Sequence, residues 1–206
     1  PLDAFAYDGR IEAGTFADEV TSRFAAFPTA TQPALMNVLA GHDTDRLASM
    51  IVNGGLQGGY DRLAGPRDTT AYRVRAPDAE EREVQRAVVL LQMALPGAPH
   101  VYYGDEAGMW GADDPDDRKP MVWPDLAYDD EALAPRGLTR APDPVAFDPI
   151  LFAFYRDAIA LRQSDPVLRR GDLRALAAEG RAVVFERTLG DDRRVGAINT
   201  GGTAAF

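Results

Sequence analysis

Cysteine is absent from the 206 residues, which removes disulfides and thiolate zinc sites and leaves the redox compartment unreadable. No apolar run approaches the roughly 20 residues that span a bilayer, and no polybasic cluster suits an anionic membrane surface. Basic residues are the minority, 22 Lys and Arg against 32 Asp and Glu, and the net charge of −10 argues against nucleic acid as a partner. Position 1 is proline rather than methionine, so the natural start is expected upstream and the lack of a signal peptide says nothing about secretion. Cytoplasm and periplasm both stay open as compartments. What is present is an apolar fraction of 46%, enough for an ordinary core, in a length that fits one domain or one and a half.

The stretch that organises the chain is Asn37–Arg46. Val38-Leu39-Ala40 reads as a short buried strand, stopped by Gly41, after which His42, Asp43, Asp45 and Arg46 follow within five positions. Strand ends that release polar clusters commonly deliver side chains into a pocket. The plainer alternative is that Asp43 or Thr44 caps a helix through Leu47–Val52.

Residues 1–14 read as loop. Helix periodicity then joins Phe16, Val20, Phe24 and Phe27 behind a cap at Thr15, with Asp18 resembling a capping box. Residues 53–77 form a long polar loop rich in Gly and Arg, either a lid or wall of a site or simply a floppy segment. Asp78 and Glu81 make a capping box for a helix carrying Val84, Val88, Leu91 and Leu95 on one stripe, closed by Pro96-Gly97. Pro99–Tyr103 reads as a second strand, ending at Gly104-Asp105-Glu106. Strand, helix, strand with tight turns predicts a parallel pair, which puts His42-Asp43 and Asp105-Glu106 on one rim, where such sheets bind ligands.

Gly108–Trp123 is dense in Asp and carries both tryptophans. It lacks the register and terminal glutamate of an EF-hand. A solvated acidic turn is the bland reading, whereas exposed indoles beside carboxylates suit a sugar, rings on C–H faces and acids on hydroxyls. Residues 124–147 form a Pro-rich acidic connector. Asp148-Pro149 starts a third helix, whose buried face is expected to hold Ile150, Leu151, Phe154, Tyr155, Ala158, Ile159 and Leu161. Short strands at Ala182–Phe185 and Val195–Ile198, joined by a turn at Gly190–Asp192, begin an all-β unit too small to close a sandwich.

Pro96–Met109 and Asp113–Trp123 closely resemble the α-amylase family of glycoside hydrolases, and the second points to its neopullulanase, cyclomaltodextrinase and maltogenic amylase branch. Gly41–Arg46 resembles that family's region after the seventh barrel strand, and Ala160–Leu168 its last barrel helix. The four motifs are collinear and cover essentially the whole chain. The resemblance implies an α/β fold: the C-terminal part of a (β/α)8 TIM barrel over residues 1–170, strands seven and eight with their helices, then the truncated beginning of a C-terminal β-sandwich over 171–206.

By the same resemblance Asp43 matches the family's transition-state-stabilising catalytic carboxylate and His42 its sugar-contacting partner. Asp114 and Arg118 match residues gripping the next glucose, while Asp105 and Glu106 match a motif that is mainly structural. The expected partner is an α-glucan oligosaccharide, with the remainder of the barrel, and self-association as a further option. No metal ligands and no cofactor are expected within this stretch, calcium remaining an option for the parent protein. Nothing here resembles the family's nucleophile or general acid, both expected upstream of Pro1, so the stretch alone is expected to be inactive. The long 53–77 loop and Asp165, where relatives often carry histidine, depart from the pattern. A glucanotransferase or isomerising relative on the same scaffold, and a non-catalytic sugar-binding or assembly module, are the alternative functions.

Overall fold

The structure, a computed structural model, describes residues 11–54, 56, 71–112, 114–134 and 138–201. Residues 1–10 of the expected N-terminal loop, and most of the long 53–77 loop, lie outside the described residues.

Helix α1 spans Ala13–Ala25 and starts two residues before the expected Thr15 cap. Its first amide, Ala13 N, donates to Gly180 O at 2.9 Å, so a neighbouring hairpin turn satisfies the helix end that no side chain caps. Phe16 is buried, but Phe27 is exposed, so the aromatic stripe is only partly a core face.

Strands β1 (Met36–Val38) and β2 (Ala98–His100) pair in parallel, Met36 with Ala98 and Val38 with His100. β1 has the expected length but sits two residues earlier, and β2 starts one residue earlier and is shorter than expected; after β1 the chain turns at Gly41. There Gly41 N donates to Thr44 Oγ1 at 3.0 Å. Helix α2 is Leu47–Val52, with Arg46 at its N-cap and no side-chain cap bond. Neither Asp43 nor Thr44 caps it.

Helix α3 (Ala79–Ala94) crosses between the strands and has the expected capping box, with both Asp78–Glu81 bonds formed. Its buried Gln92 bridges the parallel pair, Nε2 donating to Asn37 O at 2.8 Å and His100 O at 2.9 Å. The connector is not featureless: β3 (Glu131–Ala134) and β4 (Leu138–Asp143) form an antiparallel hairpin. Lys119 and Arg140 hold it through Glu131, at 2.8 and 3.0 Å. Helix α4 is Pro149–Ser164, and the Asp148 carboxylate accepts from Ile150 N and Leu151 N as its cap. Leu151, Tyr155, Ala158 and Arg162 are buried, whereas Ile150 and Leu161 of the expected face are exposed.

A short α5 (Pro166–Arg170), capped by Asp165, leads into β5 (Asp172–Glu179), β6 (Ala182–Leu189) and β7 (Asp192–Asn199), an antiparallel three-stranded sheet with β6 central. Val183, Phe185 and Ile198 of this sheet share one hydrophobic core with Phe16 of α1 and Leu91 of α3.

Two buried arginines close the C-terminal end of α3. Arg162 Nη1 donates to Met93 O at 2.5 Å and Leu95 O at 2.9 Å, and Nη2 to Gly97 O. Arg187 of β6 bonds Ala94 O, and reaches Leu168 O at 3.0 Å and Gly171 O at 2.7 Å. Cations there complement the helix dipole and satisfy carbonyls that no amide reaches. Replacing Arg162 by Leu should therefore cost about 2–4 kcal/mol, since three buried acceptors lose a charged donor. Urea denaturation of the intact protein measures this, and a loss within error of zero would mean that water replaces the guanidinium.

Candidate active-site rim

Because β1 and β2 are parallel and Val38 faces His100 in register, the residues a few positions beyond each strand share one rim. The structure brings the two loops together as expected. His42 and Asp43 stand exposed, with His42 Nε2 3.2 Å from Asp43 Oδ2. Asp45 does not join them: it is buried, and Tyr72 Oη donates to its Oδ2 at 2.5 Å.

Arg46 is fully buried. Its Nη1 donates to Tyr103 O at 2.6 Å and to Asp105 Oδ1 at 3.3 Å. Its Cζ lies 4.7 Å from the Tyr102 ring centre and 4.8 Å from that of Tyr103. The rings are themselves 4.8 Å apart and nearly edge to face, so the guanidinium fills the notch between them. Its backbone amide donates to Gly111 O at 3.0 Å, and Gly111 N returns a bond to Ser49 Oγ at 2.9 Å. Gly111 leaves no room for a side chain, since a Cβ there would come within 2.5 Å of Asp116 O.

The loop after β2 is a run of tight turns begun by Gly104, at φ +86°. It is fastened from behind by Arg82 Nη2, which donates to Gly108 O at 2.6 Å, and by Asp148 N, which donates to Ala107 O at 3.0 Å. Asp105 is buried within it. Burial pushes its carboxyl up to about 7, against the pull of Arg46. Burial likewise raises the Tyr102 phenol to about 12.

Asp114 and Arg118 form an ion pair, both about half exposed. The buried Asp117 lies behind it, 3.9 Å from Arg118 Nε. An exposed pair of this kind is worth about 0–1 kcal/mol, so sugar hydroxyls can compete for both members. Asp116 accepts from Ala112 N at 2.7 Å and lies 3.4 Å from Lys119 Nζ. The acidic loop thus directs carboxylates at its own cations and amides. Among the described residues no group of three or more His, Asp or Glu comes together as a metal site. Trp123 is exposed as expected, but Trp110 is buried, with Lys119 Nζ 5.7 Å from its ring centre. Only one of the two indoles can meet a ligand. Sequence reasoning placed Arg46 in the polar cluster but missed its burial; the signal was an arginine opening a helix whose other residues are apolar or small.

A parallel strand pair with a helical crossover is the repeating unit of α/β barrels, and an exposed acid–imidazole dyad stands at its carboxyl rim. No family model matches the chain. It is 32% identical over 192 residues to neopullulanase 2 of Thermoactinomyces vulgaris, covering 92% of this chain and 25% of that protein. It is 30% identical over 197 residues to a cyclomaltodextrinase of Geobacillus thermopakistaniensis, covering 95% and 26%. The solved debranching enzyme of Nostoc punctiforme aligns with TM-score 0.63 and 28% identity, over 95% of this chain and 30% of that one. The stretch is thus similar, along nearly its whole length, to enzymes of the α-amylase family, which are TIM barrels, those named neopullulanase and cyclomaltodextrinase among them. The chain spans about a quarter of the length of these curated relatives.

The position of Asp105 yields a pH prediction. Its carboxyl titrates near 7 when folded and near 4 when unfolded. Between those values the native state holds a proton that the unfolded chain has released, so this group's contribution makes stability fall as pH rises from about 4 to about 7. Asp105→Asn should flatten that slope. Denaturation midpoints measured across the range would show it, and an unchanged slope would assign the titration elsewhere.

Proposed function

We propose that the protein carrying this stretch is a retaining α-glucan glycoside hydrolase, acting on α-glucosidic bonds in cyclodextrins, maltooligosaccharides or pullulan. The observation that carries the reading is the exposed His42–Asp43 pair at the carboxyl end of a parallel strand. The names of the relatives support the substrate class.

A retaining glycosidase needs a nucleophilic carboxylate and an acid–base carboxyl about 5–5.5 Å apart across an oxocarbenium-like transition state. On this reading both come from outside the stretch. Asp43 supplies a third carboxylate, accepting sugar hydroxyl bonds that tighten as positive charge develops at the anomeric carbon. His42 donates to a neighbouring hydroxyl. Arg118 presents a planar fork of donors to vicinal hydroxyls of the adjoining glucose, and Asp114 accepts from one of them. These steps call on no cofactor or metal from these residues. The rest of the barrel is the stretch's own first partner: Met36 and Val38 expose apolar side chains on β1, an arrangement that parallel sheets ordinarily cover on both faces.

Two measurements test this. The purified stretch should not turn over β-cyclodextrin or maltotriose, whereas the intact protein should. In the intact protein Asp43→Asn should lower kcat on the order of 10³-fold with a smaller change in KM. Turnover by the stretch alone, or an Asp43→Asn protein with wild-type kcat, would overturn the assignment.

A further inference from the structure

Arg46 has no part in the proposed chemistry, yet it is a fully buried charge on the rim. Three of its bonds reach the loop that follows β2: Nη1 to Tyr103 O at 2.6 Å, Nη1 to Asp105 Oδ1 at 3.3 Å, and the backbone amide to Gly111 O at 3.0 Å. It stands three positions after Asp43, while Gly111 stands three before Asp114. The carboxylate that would act in the transition state and the pair that would hold the next sugar are therefore tied to one residue, through its buried guanidinium at Tyr103 and Asp105 and through its backbone amide at Gly111.

We propose that Arg46 is a positioning residue that sets the spacing between the Asp43 loop and the Asp114–Arg118 loop. Lysine cannot replace it. An ammonium keeps the charge, but it lacks the flat, delocalised guanidinium that lies in the notch between two rings while its Nη1 serves a carbonyl and a carboxylate. Nor is general stability an adequate account, because the side-chain bonds of Arg46 run only from the loop after β1 to the loop after β2. The proposal rests on the roles given above to Asp43 and Asp114, and its test separates the two.

The experiment uses the intact protein and compares wild type with Arg46→Lys and Asp105→Asn, the latter removing only a charge. Each is read by maltotriose kinetics per folded molecule and by hydrogen exchange over residues 41–49 and 109–118. Misplacement should lower kcat about 10- to 100-fold and raise KM about 5- to 20-fold in Arg46→Lys, with smaller changes in the same direction in Asp105→Asn. Both segments should exchange faster while α3 does not. The KM effect should also be absent when Asp114 is already alanine, since the residues would act through one contact.

A purely structural role predicts kcat falling with the folded fraction, unchanged KM and faster exchange throughout; that result overturns the proposal. A kcat loss with unchanged KM overturns the coupling of the two loops. If the wild-type protein turns over no α-glucan, the functional reading fails. Exchange confined to the two segments would still uphold Arg46 as their clamp.

Discussion

Burying a guanidinium at zero exposure carries a desolvation penalty of several kcal/mol, which excellent hydrogen bonding has to offset. At Arg46 the offset comes from one other loop, through Nη1 and the ring faces: a carbonyl at 2.6 Å, a carboxylate at 3.3 Å and two aromatic rings, while Nε and Nη2 have no hydrogen-bond partner among the described residues. The loop after β1 therefore cannot take its place until the loop after β2 has taken its own, and neither relaxes alone without exposing an unpaired buried charge. The burial that raises the Asp105 carboxyl to about 7 belongs to the same constraint, since water that would stabilise the carboxylate is excluded by the packing that holds the arginine.

Behind the rim, α3 acts as a post. Near its N-terminal end Arg82 grips Gly108 O, and Gln85 approaches Asp105 O at 3.5 Å and Tyr155 Oη at 3.4 Å. Further along, Gln92 spans both strands. At its C-terminal end Arg162 and Arg187 bring α4 and the three-stranded sheet to adjacent carbonyls, those of Met93 and Ala94. Long polar side chains do this work because helix ends and strand edges present unpaired backbone groups that apolar packing cannot satisfy.

The sequence made legible whatever rests on local periodicity or turn chemistry. The α3 capping box, the Asp148-Pro149 start of α4, the parallel pairing and the β6–β7 turn all follow from short-range patterns. What escaped depends on partners distant in sequence. The start of α1 is fixed by Gly180 O rather than by Thr15, and Trp110 is covered by Lys119. The β3–β4 hairpin hangs on Glu131 meeting Lys119 and Arg140, which a Pro-rich acidic composition conceals. On the rim, His42, Asp43, Asp114 and Arg118 stood out by motif. Arg46 did not, because an arginine's burial is a property of what surrounds it.

That contrast separates two uses of charge. Asp45, Arg46, Asp105 and Asp117 are buried and hold the scaffold in shape. His42 and Asp43 stay open to solvent, their side chains 71% and 81% exposed, where water screens any interaction with a developing positive charge. On the proposed reading, then, the buried set fixes where Asp43 stands, but its electrostatic power arises only when the remaining barrel wall and the substrate exclude water around it. Positioning lies within these residues, whereas the low-dielectric surroundings that make positioning effective come from outside them. On that reading this is a physical reason, separate from the proposed placement of the nucleophile and acid outside the stretch, for catalysis to require the whole barrel.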